Sequence, residues 1–266
     1  MAVIIMLPSR ENIQLFKTMV RREVKSRYQG TLLGFFWNLV TPLLMLAIYS
    51  TVFLVVFEAK WHLEGAQTAD YGLMLFIGIL THGFMAEVLT ASSGIIRNNS
   101  NLVKKVRFPV AMLPVISVCS AGVNYLFGLL LAFAYAGVNH YLQNPLMILY
   151  LPIVLMVYLT TLTAIAYLVA SLGLYIRDIV QMMPVLITAL LFTSTVFFSA
   201  QSAPDMLAKI LYLNPISPIA DAIRDIVYGK PPQFGQLAIL LAISCGVFVA
   251  SYGLFRRLRP NFADVL

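Results

Sequence analysis

The sequence predicts an all-helical protein that crosses a membrane several times, on three observations. Sixty per cent of its 266 residues are hydrophobic and only 11% are charged, against about 25% charged in a soluble globular chain. Mean hydropathy is +0.86. The apolar residues also gather into six stretches, Leu32–Phe57, Tyr71–Ala91, Leu113–Val138, Leu146–Leu172, Val180–Ala200 and Gln236–Phe255. Each reaches the roughly 20 residues that a helix needs to cross a hydrocarbon layer of about 30 Å. They take up most of residues 1–266, which read as one transmembrane domain with no room for a soluble enzyme.

The opening MAVIIMLP lacks a basic start, a long apolar run and a small-residue cleavage site, so the first span is expected to direct insertion. From Ile13 to Tyr28 the pattern is helical. At 100° per residue Ile13, Phe16, Met19, Val20 and Val24 share one face, while Lys17, Arg21, Arg22 and Lys25 occupy the other. A helix over 10–29 lying in the membrane interface, cations toward anionic headgroups, fits this division. Ser9 is placed to cap it and Gly30 to turn the chain into the bilayer. Glu23 and Arg27 interrupt the apolar stripe at a spacing of four and are expected to pair with each other. A plain basic flank that fixes orientation is the simpler alternative.

The first span opens on Phe35, Phe36, Trp37 and Asn38 and carries Tyr49; the fifth ends on Phe192, Thr193, Phe197 and Phe198. Interfacial aromatic belts read the same way. The second span holds Glu87, whose burial as a charge costs about 2.5–3.5 kcal/mol on the insertion scale, so it faces protein or a wet path. Three readings stand for it: a part in such a path or gate, a pair with a cytoplasmic-side cation, or snorkelling to the surface. His82 reads as a packing residue. After this span, SSGIIRNNSNLVKKVRFPVAMLP mixes apolar residues with four cations and predicts a short helix closed by Pro109. Its Asn98-Asn99-Ser100 sequon is expected to be idle there. Residues 201–235 predict two short helices, Met206 to Leu213 and Ile219 to Tyr228, broken by Asn214-Pro215 and Pro218. Each is too short to span; a dip into the outer leaflet and an amphipathic hairpin on the surface both satisfy the pattern.

Fourteen of the 18 Lys and Arg residues lie on one side of this arrangement, leaving Lys60, Lys209, Arg224 and Lys230 on the other. Both termini are then cytoplasmic. The net charge of +7 is explained by these span ends, and no nucleic-acid partner is expected. Cys119 and Cys245 sit inside spans as small apolar residues. No phosphate-binding G-x-x-x-x-G-K-[ST] loop occurs, and His62, His82 and His140 are scattered, so neither nucleotide binding, a metal site nor catalysis is expected.

Five segments in order, RREVKSRYQGTLLGFFWNLVTPLLM, IIRNNSNLVKKVRFPVAMLPV, YIRDIVQ, YLNPISPIADAIRDIVYG and RRLRPNFADVL, resemble the membrane subunit of ATP-binding-cassette polysaccharide exporters. These type-2 permeases move O-antigen, capsule or teichoic acid precursors. The resemblance covers nearly the whole chain. It implies a homodimeric permease of the bacterial inner membrane, working with two copies of a separate ATPase that binds ATP and Mg, on an undecaprenyl-linked polysaccharide. It makes 10–29 the interface helix, with Lys17, Arg21, Arg22, Lys25 and Arg27 toward lipid. Residues 95–108 become the helix that docks on the ATPase, through Arg97, Lys104, Lys105, Arg107 and Phe108. The substrate path would use Phe35, Phe36, Trp37, Asn38, Tyr49, Glu87, Phe192, Thr193, Phe197 and Phe198, since sugar rings stack on aromatics. RYQGTLLGFFWNL looks closer to O-antigen and teichoic acid permeases than to capsule ones. The alternatives are a same-fold exporter of teichoic acid, capsule, drugs or small lipids, and an ion-coupled transporter. The last would need more intramembrane ionisable residues and repeated halves.

Overall fold

The computed structural model describes residues 10–52, 60–62, 68–105, 108–197 and 210–266. Helix α1 (Arg10–Tyr28) is followed by a turn at Gly30, whose φ of +83° suits a residue without a Cβ. A single 3-10 turn then leads into α2 (Trp37–Ser50). Two strands, β1 (Lys60–His62) and β2 (Thr68–Asp70), pair antiparallel before the long α3 (Tyr71–Asn98). Next come α4 (Ser100–Lys105), α5 (Leu113–Val138), α6 (Leu151–Tyr175), α7 (Asp178–Phe192), α8 (Ile216–Val227), α9 (Phe234–Leu258) and α10 (Phe262–Val265). The helical class therefore holds, with this strand pair the exception among the described residues.

Four helical segments are long and apolar enough to cross a membrane: Tyr71–Asn98, Val110–Val138, Pro145–Tyr175 and Phe234–Val265. The first and fifth of the expected spans are shorter helices among the described residues, Gly34–Ser50 and Asp178–Phe192. The 15 residues of α7 rise about 22 Å, less than a bilayer core of about 30 Å. The helix stops because its next residues bond elsewhere. The Thr193 and Ser194 hydroxyls donate back to the carbonyls of Ala189 and Leu191, and the Thr195 amide donates to Ser217 Oγ. Such side-chain bonds compete with the helical ladder. Phe198 and the rest of that expected span lie outside the described residues, as do the last residues of the expected first span.

Helix α3 is the hub, packed against α2, α5, α6, α7 and α8. Asp70 caps it by accepting from the Leu73 amide at 3.1 Å, and it also accepts from the Tyr135 hydroxyl at 2.8 Å. The Asp70 amide donates to the Tyr228 hydroxyl at 2.9 Å, so one residue ties together α3, α5 and the end of α8. With lipid outside, helices associate through close packing more than through apolar burial. Gly173 is an instance: a Cβ there would overlap the Ser93 carbonyl oxygen, so α6 and α3 touch backbone to backbone. Gly173→Val is expected to cost about 1–3 kcal/mol through overpacking. A thermal midpoint in detergent equal to the parent's would show that the contact is not needed.

Helix α8 begins at Ile216, three residues earlier than expected, and ten of its twelve residues are buried. Residues 210–213 are helical; the remainder of the expected first helix of that pair, from Met206, lies outside the described residues. The core has two parts. The larger surrounds α3 and α8; the smaller joins Met19, Ile95, Phe108, Leu174, Phe255 and Phe262 at the Asn98 end of the bundle.

Candidate functional site

Glu87 projects from α3 roughly 16 Å above the Asn98 end, at 1.5 Å per residue. Its partner is the guanidinium of Arg27, from the last turn of α1. Arg27 also donates to Ser120 Oγ at 3.0 Å, and Asn124 Nδ2 donates to Glu87 Oε2 at 3.4 Å. The neighbouring Tyr28 hydroxyl donates to Asn38 Oδ1 at 2.6 Å and lies 3.0 Å from Asn124 Oδ1. Six polar side chains from α1, α2, α3 and α5 thus form one network. Of the three readings of Glu87, the pair with a cation is present, with Arg27 as its partner. The expected Glu23–Arg27 pair gives way, because Arg27 turns inward with the apolar stripe instead of toward headgroups. Burial lowers its pKa, with Glu23 nearby opposing the shift. The side chains of Arg27 and Glu87 retain 22% and 30% exposure, so the pair is reachable by water from one side.

That side is a cavity of about 300 Å3 between α2, α3 and α5. Trp37, Tyr49, Phe76, Phe84 and Tyr125 form its walls, and Tyr28, Asn38, Asn124 and Glu87 also line it. Because α2 and α3 run antiparallel, the polar groups collect near Trp37 while Tyr49 faces Phe76 at the other end. Asn38 is buried, and its Nδ2 has no hydrogen-bond partner among the described residues. The aromatic wall is rigid: Phe84 stacks on Tyr125 at 4.8 Å, and Tyr158 meets both edge-on while donating to the Thr81 carbonyl at 2.6 Å. Flat carbon faces beside amides and a carboxylate suit a neutral, hydroxyl-rich ligand.

Four of the ten expected path residues, Trp37, Asn38, Tyr49 and Glu87, line this cavity. Phe35 and Phe36 do not. Phe36 is 71% exposed, and Phe35 packs edge-on against Tyr28 and Phe127. Phe192 and Phe197 stack on each other at 5.6 Å, where Tyr71 donates to the Phe197 carbonyl at 2.6 Å. Thr193 shares their end of the bundle, with its hydroxyl bonded within α7. Tyr28, Ser120 and Asn124 were not singled out from the sequence. The signal available was the pair of polar residues four apart inside an otherwise apolar span.

A second buried polar centre lies near Phe197. Arg224, on α8, donates to the carbonyls of Met74 (3.0 and 2.8 Å), Thr195 (2.7 Å) and Val196 (3.1 Å) and to Asp221 Oδ1 at 2.9 Å. It pins α8 to α3 and to the bend after α7. Sequence topology counts Arg224 among the cations of the outer side; its place is inside the protein, at 3% exposure.

On α1, Lys17, Arg21 and Lys25 stand at intervals of four beside a groove floored by Phe16, Val20, Val24, Phe35 and Val123. Arg22 is exposed as well. At the Asn98 end, residues 95–98 continue α3, so the expected 95–108 element divides into the end of a long helix and the short α4. Arg97 donates to the Leu174 carbonyl at 2.8 Å and ties α3 to α6, while Phe108 is buried in the smaller core. Lys104 is exposed; the Lys105 side chain and Arg107 lie outside the described residues.

A sequence profile describing the ABC-2 type transporter matches residues 14–228, from α1 to the end of α8. The chain belongs to the ABC-2 type transporter family. Among curated relatives, this permease is 27% identical over 258 residues to the O-antigen export system permease protein RfbA of Myxococcus xanthus, covering 94% of each chain. Two proteins of that name from Klebsiella pneumoniae are 20% and 21% identical over 252 residues, covering 95% of each chain. The protein is a multi-pass membrane permease, and its family membership implies an ABC ATPase as partner.

Proposed function

We propose that the permease exports a lipid-linked polysaccharide, of the O-antigen class, across the bacterial inner membrane. The observation that carries this reading is the cavity lined by Trp37 and Tyr49, at opposite ends of α2, whose aromatic walls also hold Asn38, Asn124 and Glu87. Sugar C–H faces stack on such rings and sugar hydroxyls bond such amides. The names of the curated relatives support the same substrate class. Two permease chains and two ATPase subunits make the working exporter, with ATP and Mg bound by the ATPase. Both termini face the cytoplasm. α1 lies in the inner interface, where Lys17, Arg21 and Lys25 meet the carrier's phosphates. Residues 201–235, with α8, dip back into the outer leaflet as a gate.

The test is export itself. In a strain lacking the chromosomal copy, the wild-type gene restores surface O-antigen on immunoblots of intact cells. Trp37→Ala is expected to lower that signal about tenfold, a change equivalent to about 1.4 kcal/mol, with protein level and ATPase association unchanged. Normal surface polymer in the deletion strain would refute the assignment; restored export of a drug or a small lipid alone would transfer it to that substrate.

A further inference from the structure

Helices α6 and α9 run parallel and side by side. Tyr150, just before α6, meets Phe234 of α9 edge-on at 5.2 Å, and at the other end the Tyr175 hydroxyl donates to the Leu258 carbonyl at 3.3 Å. Midway between these contacts, Thr161 Oγ1 and Ser244 Oγ lie 2.7 Å apart, both buried. Beside that pair is a cleft of about 350 Å3. Its third side is the bend before α8 and the first turn of that helix, through Tyr212, Leu213, Pro215 and Pro218. From Gln236 to Val247 the cleft follows α9 over eleven residue steps, about 16 Å, which is half of a hydrocarbon core of about 30 Å. Its length is therefore that of one leaflet.

The walls choose an apolar occupant. Thr161 Oγ1 also donates to the Val157 carbonyl at 2.9 Å, so the two hydroxyls are bonded to protein, and no orphaned buried side-chain atom of the described residues lies here. A cavity of that kind stays dry. The bend is self-sufficient as well: Asn214 Nδ2 donates to the Leu190 carbonyl at 2.7 Å, and its Oδ1 accepts from the Ile216 amide at 3.0 Å. Irregular backbone at membrane depth needs its polar groups met by protein or water, and Asn214 meets these without water. Ile239 and Ile243, 64% and 59% exposed, stand at the rim, on a span with only 22% of its most apolar window buried in the protein. The bilayer covers that wall, and a lipid tail enters the cleft without crossing water. We propose that the cleft holds one acyl chain of a bilayer phospholipid, from the leaflet at the Gln236 end, as a fixed ligand that packs against the Asn214-Pro215 bend and seats the start of α8. No Lys or Arg lines the cleft, so nothing there selects the phosphates of a polyprenyl carrier, and the phospholipid present in bulk fills it by mass action. The inference is independent of the polymer exported.

The experiment reconstitutes the full chain in vesicles of phosphatidylethanolamine, re-extracts it in mild detergent and counts bound lipid by native mass spectrometry. One phosphatidylethanolamine per chain is expected to stay on the wild type. Leu240→Trp, which grows into the cleft from its lining, should lower that occupancy about tenfold. Val249→Phe, 71% exposed on the same helix but outside the cleft, should leave it unchanged. Full occupancy in Leu240→Trp overturns the proposal, as does a bare wild type. An equal loss in Val249→Phe would reduce the bound lipid to the general shell around α9, and is equally fatal. Should Leu240→Trp elute as aggregate, Ile243→Phe on the exposed rim decides in its place, by the same loss or retention. Displacement of the phosphatidylethanolamine by an equimolar amount of undecaprenyl phosphate would give the cleft to the carrier's tail. Bare wild-type dimers that Leu240→Trp splits would give it to a second copy of the chain; either result overturns the phospholipid.

Discussion

Arg224→Met is expected to destabilise the protein by about 3 kcal/mol and to stop export. The guanidinium satisfies the carbonyls of Met74, Thr195 and Val196 and the carboxylate of Asp221, and none of these gains a new donor when it is removed. Removing one partner of a buried pair costs about 3–5 kcal/mol. The lower end applies because the Asp221 side chain keeps 30% exposure and can recruit water. The loss is spread over three elements, since α8, the bend after α7 and α3 all meet at this side chain. Thermal unfolding in detergent measures the first effect and surface polymer the second. Asp221→Asn should be milder, because the carbonyls keep their donor. A variant Arg224→Met with parental midpoint and export would show that α8 is held by its apolar face alone.

The second large effect concerns Arg27 and Glu87. Glu87→Gln takes from the half-buried Arg27 the carboxylate in contact with it, leaving only the more distant charge of Glu23, and Arg27→Gln removes the cation paired with Glu87. Each single change should lower stability by about 1–3 kcal/mol, at the scale of a buried group left unsatisfied. The double variant Arg27→Gln/Glu87→Gln should recover part of that, with a coupling energy of about 1 kcal/mol in a double-mutant cycle. Export is expected to fall in both single variants, because Glu87 also lines the cavity. Strict additivity of the two stability losses would mean that the pair does not act as one.

The class of fold was legible because composition and run length are properties of single helices. Asn38, Glu87, Trp37 and Tyr49 were legible as polar or aromatic residues where a span should be plain. What joins them was not. The inward turn of Arg27 depends on where α1 packs against α5, and no local pattern encodes that distance. Its i,i+4 spacing to Glu23 pointed to a local partner, whereas tertiary packing supplied Glu87. The break after α7 was also hidden: Thr193-Ser194-Thr195 reads as mildly polar span, and its bonds to Asn214, Ser217 and Arg224 join its own back-bonds in ending the helix. Arg224 had a readable clue in Asp221, three residues earlier, a spacing that pairs charges on one helix face.

Helix α9 has only 22% of its most apolar window buried in the protein, and it carries the exposed Cys245. The other thiol in the described chain, Cys119, is partly covered against the smaller core. The native sequence therefore comes with a reporter already installed on its outer wall. A lipid-soluble spin label or fluorophore attached at Cys245 would sample bilayer order and depth beside a permease that needs no engineered cysteine.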